Sequence, residues 1–496
     1  MKKAPVNVIR RPEQFTSDDK RVIARYMKFG QTSRVRSLFR RAMRIPESQV
    51  PGLLEEVLTD FEPRHRDIRT VLEENFLEMA RHVRDLPELS QARRLLIGSY
   101  FTMEYSIESA ALFNPSIVPH PDQDGMANGQ KRFLVSLRAT GEGHVSSIVF
   151  RRGWVDQHCE LHFEAPPRYA QMAKPSPDRR LDKALFCRKF RRTGACNNYI
   201  HVLESLSEQF TVSQLRAALA TCRQEYGNDI GYKEFSAEMT WLAEANYSVD
   251  FPPDVPPTEM VIFPATDVEQ HGMEDLRLVR FCDDHDQCHY YGTYTAYDGR
   301  KIYPMLLETA DFHHFHVSTL SGVYAKNKGM ALFPRQIDGQ YVMLSRHDGE
   351  KLYLLRSPNL YVWNGPAVQL DAPTESWELV QIGNCGSPVE TDAGWIVLSH
   401  GVGPMRQYHI GAILLDRDDP SRVIGRLREP LLSPNGHERE GYVPNVLYTC
   451  GCMIHDGRLI IPYAISDTRT SFATVDVDEL VAALKDGRQR PTRRRK

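Results

Sequence analysis

The chain is predicted to be mainly β: a five-bladed β-propeller with a helical N-terminal region and a helical insertion. Three observations predict this. After Asn114, apolar and aromatic runs of strand length alternate with Gly, Asp and Asn turns. Five blocks share a strand-turn-strand layout: Arg132 to Arg151, Leu276 to Tyr297, Met330 to Leu355, Gly386 to Leu415 and Gly451 to Val477. The last three begin roughly 55 to 65 residues apart, the spacing of long propeller blades.

In chain order, residues 1–112 are expected as the helical region. Ser17-Asp18-Asp19 reads as a capping start, and Val22, Ile23, Tyr26 and Met27 recur at helical spacing. Amphipathic stretches follow at Gln49 to Asp60, Arg66 to Val83 and Ser90 to Ser109. The basic run Arg34, Arg36, Arg40, Arg41 and Arg44 fits a solvated helix face better than an anion site. Residues 113–485 are expected as the propeller, with turns at Ile337-Asp338-Gly339, Thr391-Asp392-Ala393-Gly394 and His455-Asp456-Gly457-Arg458. Between the first two blocks, 166–257 exceeds one blade and holds helical runs at Thr211 to Tyr226 and Tyr232 to Glu244. It is expected as an insertion over one face. Residues 486–496 are expected as a basic disordered tail.

Composition narrows the function. The 62 basic and 64 acidic residues nearly cancel, so no global field favours nucleic acid or an anionic membrane, and neither partner is expected. Met1 to Asn7 leads into no apolar signal region, and no apolar run is long enough to span a bilayer; a cytoplasmic location is expected. The nine cysteines are scattered and odd in number, and are expected to be reduced. The clusters Cys282 to His289 and Cys450-Gly451-Cys452 lack paired zinc-ligand spacing, so no metal is expected.

The chemistry-bearing stretch is His271-Gly272-Met273-Glu274-Asp275-Leu276-Arg277, followed by Tyr290-Tyr291-Gly292-Thr293-Tyr294. An acid pair, a guanidinium and nearby tyrosines can grip a polyol and move protons on it. Other polar candidates stand where strand blocks begin or end: Asn114, Ser116, Arg138, Lys328, Arg346, Glu390, His400, Tyr408 and Asp467. Taken singly, each has an ordinary reading as a surface arginine, a core histidine or a turn former. In a propeller they can meet at the axis although far apart in sequence.

Seven segments occur in order: Asn114-Pro115-Ser116, Ser136-Leu137-Arg138, Gly272 to Arg277, Leu332-Phe333-Pro334 with Ser345-Arg346, Ser399 to Val402, Tyr408 to Ala412 and Ser466-Asp467-Thr468. Together they resemble glycoside hydrolase family 130, which comprises inverting β-mannoside phosphorylases and related β-mannosidases on a five-bladed propeller. The resemblance spans about Leu112 to Leu484 and excludes the helical N-terminal region. It implies that Asp275 is the general acid, acting through a hydroxyl of the sugar ring. It also implies that Asn114, Arg138 and Asp467, with Ser116 beside them, hold the sugar next to the scissile bond. Arg277 either grips ligand or pairs with Glu274 or Asp275.

Lys328, Arg346, His400 and Tyr408 resemble the family's phosphate pocket, whereas Glu390 stands where phosphorylases carry a cation. A carboxylate beside phosphate would cost on the order of 1 to 4 kcal/mol. The expectation is therefore an inverting β-mannosidase that uses no cofactor, with Glu390 as base roughly 6.5 to 9.5 Å from the acid. The alternative is a phosphorylase that takes inorganic phosphate as co-substrate and releases mannose 1-phosphate, with Glu390 paired to Lys328 or Arg346. A non-catalytic carbohydrate-binding propeller is the second alternative. A β-mannoside oligosaccharide is the expected partner, and the helical extension is compatible with homo-oligomers.

Overall fold

The computed structural model describes residues 6–173, 175–176, 179–190, 201–227 and 229–489. Mainly β, it is built from five consecutive sheets, antiparallel except where Gln171–Met172 joins the first in parallel. The first contains Ala111–Pro119, Lys131–Thr140 and Ser146–Val155, and the second Met273–Cys282, Cys288–Tyr297, Ile302–Thr309 and His314–Thr319. The third is Ala331–Leu332, Tyr341–Ser345, Leu352–Ser357 and Val368–Asp371. Gln381–Asn384, Gly394–Val402, Tyr408–Leu415 and Val423–Arg426 make the fourth. The fifth joins Leu447–Tyr448, Arg458–Ile465 and Arg469–Asp476 to Val8–Phe15 from the start of the chain.

Apolar layers fill the gaps between consecutive sheets. Phe333, Leu344 and Leu354 of the third face Trp395, Val397 and Ile413 of the fourth. Gly394–Val402 is buried at every position, so Trp395 to Leu398 reads as an apolar run without alternation before the polar Ser399 and His400. Hydrogen bonds link consecutive sheets. Ser116 Oγ bonds Leu278, Thr293 Oγ1 donates to Met330 O, Asn384 Nδ2 donates to Gly329 O, and Tyr408 N donates to Asn445 O. Cys450 N then donates to Pro115 O, which ties the fifth sheet back to the first. Between the fourth and fifth, Gly386 (φ 110°) lies so close that a Cβ would stand 2.2 Å from Cys450 O, so only glycine fits.

The N-terminal region differs from the all-helical expectation. Helices occur at Thr32–Met43, Val50–Phe61, Ile68–Ala80 and Gln91–Ser99. Asp18–Tyr26, however, is a strand paired with Thr102–Glu108. Three or four apolar positions in nine residues do not separate a 3.6 period from a 2 period, and the β-branched Val22 and Ile23 suit the pairing. Val8–Phe15 crosses the expected boundary at residue 112 to pair with Arg469–Asp476, with a register shift between Arg10 and Gln14 that accommodates Pro12.

The insertion folds on its own core of Phe186, Phe210, Leu215, Phe235 and Met239, with Val212–Tyr226 and Ile230–Glu244 as its long helices. It is not wholly helical: Gln171–Met172 extends the first sheet and Tyr247–Asp250 the second. The last helix, Val477–Gln489, runs into the expected tail because Leu480 and Leu484 are fully buried; the rest of the tail, 490–496, lies outside the described residues. The expectation of reduced cysteines is corrected at one pair. Cys282 and Cys288 face each other across the second sheet's first hairpin and are disulfide-bonded. Cys196 lies outside the described residues. Among those described, no helix is long and apolar enough to cross a membrane, and no group of three or more His, Cys, Asp or Glu could hold a metal.

Candidate active site

One pocket gathers residues from all five sheets and the loops beside them. It is lined by Asn114, Arg138, Asp275, Arg277, Lys328, Arg346, Gln381, His400, Arg406, Tyr408, Tyr448 and Asp467, and encloses about 190 Å³. That is small against the roughly 300–1,000 Å³ of sites for drug-sized ligands, so it suits a compact polar group.

Backbone irregularities deliver its acidic end. The first sheet shifts register between Phe113 and Ser116, and the second between Glu274 and Arg277. Such bulges re-aim side chains, and here they carry Asn114 and Asp275 in left-handed backbone, at φ 48° and 59°. Gly272 (φ 126°) permits the approach to the second bulge, since a Cβ there would lie 2.4 Å from Ser146 Oγ. Asp467 (φ 51°) comes from the turn between the two central strands of the fifth sheet.

Asn114 Nδ2 donates to Asp275 Oδ1 at 2.7 Å. Arg138 reaches Asp275 Oδ1 at 3.3 Å and Glu274 Oε1 at 3.0 Å, and Lys328 closes on the other Glu274 oxygen. Arg277, fully enclosed, donates to Asp275 O at 3.1 Å and Tyr448 OH at 2.6 Å. It thus holds the backbone of Asp275 and not a carboxylate, so the expected ion pair with Glu274 or Asp275 is not formed, while Arg277 still lines the pocket.

The two carboxylates titrate apart. Burial pushes Asp275 up, but Arg138, Arg277, Lys328 and the Asn114 hydrogen bond outweigh it and hold the carboxyl below its ordinary value. Asp467 is pushed up to about 6 by burial and by the negative charge of Asp275, against Arg138 and Arg406. The group with the raised pKa is therefore Asp467, not the expected acid.

The opposite end of the pocket is cationic. Arg346 Nη1 lies 3.4 Å from His400 Nε2, and His400 Nδ1 donates to Asn384 O at 3.1 Å. Burial and then Arg346 push the imidazole well below its usual range, so it is neutral, with Nε2 turned toward Arg346. His400 stacks on Tyr408 with ring centroids 5.9 Å apart. In all, the pocket sets five cationic side chains against three carboxylates, Asp275, Asp467 and the Glu274 that pairs with Arg138 and Lys328. Convergent guanidinium and ammonium donors are the means of holding an oxyanion, and the acid end with its amide and carboxylates is suited to hydroxyls.

Two expected residues stand elsewhere. Ser116 is buried and spends its hydroxyl on the backbone of Leu278, joining two sheets. Glu390 is held by Arg335 at 2.7 and 2.9 Å and by Arg417 at 3.1 Å. It lines a separate cavity with Pro119, Cys282 and Met453, at the other end of the strands that carry Asn114 and Asp275. It therefore neither faces Asp275 as a base nor pairs with Lys328 or Arg346. Conversely, Gln381, Arg406 and Tyr448 line the pocket without a signal in the sequence, because each stands in an ordinary strand or turn context.

These features define a mainly β protein with a pocket fitted for a polyol and an anion together. Comparison with known proteins gives the family. Residues 255–486 match a family model described as beta-1,4-mannooligosaccharide phosphorylase. A 1,2-beta-oligomannan phosphorylase of Thermoanaerobacter sp. (strain X514) is 33% identical over 218 residues, 43% of this chain and 72% of that protein. A Beta-1,4-mannooligosaccharide phosphorylase of Ruminococcus albus is 35% identical over 171 residues, 32% of this chain and 51% of that protein. The chain belongs to glycoside hydrolase family 130. A solved Beta-1,2-Mannobiose phosphorylase from Listeria innocua, in complex with beta-1,2-mannobiose, aligns over 77% of this chain and 93% of its own at 18% identity and a TM-score of 0.44.

Proposed function

We propose that the chain is an inverting β-mannoside phosphorylase on a five-bladed propeller, each of the five sheets forming one blade. The cycle of hydrogen bonds from the first sheet round to the fifth and back supports the propeller. The observation that carries phosphorolysis is the surplus of cations in the pocket, together with the location of Glu390 outside it. The electrostatic objection to phosphate came from Glu390, and with that residue elsewhere the pocket favours a dianion. The similar proteins named above are phosphorylases by name, which agrees.

In this reading Arg346, Lys328 and Tyr408 hold phosphate, with His400 accepting at Nε2 to position Arg346, while Asn114, Arg138 and Asp467 hold the terminal mannose. A phosphate oxygen forms a bond to the anomeric carbon as the glycosidic C–O bond breaks on the opposite face. Bound phosphate offsets Lys328, one of the cations that hold the Asp275 carboxyl low in the free protein, so that Asp275 takes up a proton and supplies it to the leaving oxygen through a ring hydroxyl. Inversion gives α-mannose 1-phosphate and a shortened sugar. Arg277 and Tyr448 position the backbone of Asp275.

Incubation with β-1,2- and β-1,4-mannobiose, with and without phosphate, tests this. Mannose 1-phosphate that forms only with phosphate is the expected result. Equal mannose release without phosphate would return the reading to a hydrolase, and binding without turnover to a carbohydrate-binding propeller.

A further inference from the structure

Next to the turn that carries Asp467 lies aromatic surface that the chemistry above does not use. Tyr442 is 66% exposed, and its ring stacks on exposed His144 with centroids 5.4 Å apart and planes at 23°. Both sit on loops tied to the reactive residues. Tyr442 N donates to Thr468 Oγ1 at 2.9 Å and Val443 N to Ser466 O at 3.0 Å, so this loop grips the turn that carries Asp467 on either side. A Cβ at Gly441 would lie 2.5 Å from Thr468 Oγ1, which keeps the two segments in close contact.

His144 lies in the loop joining Lys131–Thr140, which carries Arg138, to Ser146–Val155. Its backbone is left-handed (φ 59°), a conformation that costs energy outside glycine and collects at ligand sites. The loop is braced from the N-terminal region. Tyr105 OH donates to Glu142 O at 2.7 Å and approaches Val145 O at 3.3 Å. Met405 (φ 57°), 91% exposed, directly precedes the pocket-lining Arg406.

We infer that Tyr442 and His144 form the platform on which the leaving sugar of a β-mannoside rests, and that the N-terminal region serves catalysis by setting that platform through Tyr105. The electron-rich ring face receives the C–H edge of a pyranose, while the pocket below takes the terminal mannose and phosphate. The inference rests on the phosphorylase reading.

Its test uses the full chain in the synthetic direction, with α-mannose 1-phosphate and mannose or mannobiose as acceptor. Tyr442→Ala and His144→Ala are expected to raise the acceptor KM about three- to tenfold, the effect of one lost aromatic contact, with a much smaller change in the KM for mannose 1-phosphate. Tyr442→Phe should restore the acceptor KM, and Tyr105→Phe should shift it in the same direction as His144→Ala. An unchanged acceptor KM in Tyr442→Ala, or equal rises for both substrates, overturns the platform. If the wild-type chain yields no mannose 1-phosphate from any β-mannobiose, the phosphorylase reading fails separately. Calorimetric titration with mannobiose then decides the platform: weaker binding by Tyr442→Ala supports it, and equal binding overturns it.

Discussion

Asn114 donates from Nδ2 to Oδ1 of Asp275 at 2.7 Å, and both residues hold left-handed backbone, at φ 48° and 59°. Two bulges on two sheets meet at one hydrogen bond. The carboxylate is oriented by a neutral donor before any ligand arrives, and Arg138 completes the grip at 3.3 Å. Geometry fixed by two strained positions is costly, and it persists because the surrounding sheets over-determine it.

From this follows the sharpest variant. Asp275→Asn keeps a residue that tolerates positive φ, so thermal stability should change little while the proton donor is lost. Phosphorolysis of β-mannobiose should fall about 10²- to 10⁴-fold, the usual share of a general acid. Steady-state rates of mannose 1-phosphate release measure it, and full activity would remove Asp275 as the acid.

Asp467 should mark the pH dependence of stability. Its folded pKa of about 6 lies above the ordinary aspartate value, so the folded state binds the proton more tightly than the unfolded chain. Its contribution is therefore fully present below the unfolded pKa, near 4, and is lost as pH rises toward 6. Asp275, held low, has the opposite sign, losing its contribution only as pH falls below the ordinary range. Denaturant melts of wild type and Asp467→Asn should differ most in slope between pH 4 and 6, with the variant gaining on the order of 2–3 kcal/mol relative to wild type across that window. Parallel curves would show that Asp467 titrates normally.

Glu390→Gln should leave turnover nearly unchanged, because the residue faces Arg335 and Arg417 and not the pocket. Those partners are partly exposed, so the stability cost should be about 1 kcal/mol or less. Loss of mannose release in this variant would reinstate it as the base of a hydrolase.

Arg346→Ala should weaken phosphate specifically. A charge-assisted donor contributes about 1.5–3 kcal/mol, so the phosphate KM should rise about 10- to 100-fold. The rise in thermal midpoint that phosphate gives the wild-type chain should shrink in parallel. An equal phosphate shift in both proteins would move the anion site elsewhere.

The acid motif from Gly272 to Arg277, Arg138, and the cations Arg346 and Lys328 were legible because polar residues at strand boundaries broke an otherwise apolar pattern. Glu390 was misplaced because strand direction was invisible. Gln381 lines the pocket, and at about 3.3 Å per extended residue the chain is far beyond it by Glu390, at the other end of the inner strands. Val8–Phe15 escaped notice because Pro12 and its charged neighbours mask an edge strand whose partner lies more than four hundred residues on.

Local pattern by itself determined the mainly β class and the strand blocks, because hydrophobic period and turn chemistry act over a few residues, and the ordered motifs gave the family by resemblance. Only the tertiary structure decided which polar side chains share a pocket, that Arg277 holds backbone and Ser116 joins sheets, and that Asp467 and not Asp275 has the raised pKa. Those outcomes depend on burial and on charges brought together from all five sheets, and such fields are properties of the folded arrangement that no short window of sequence contains.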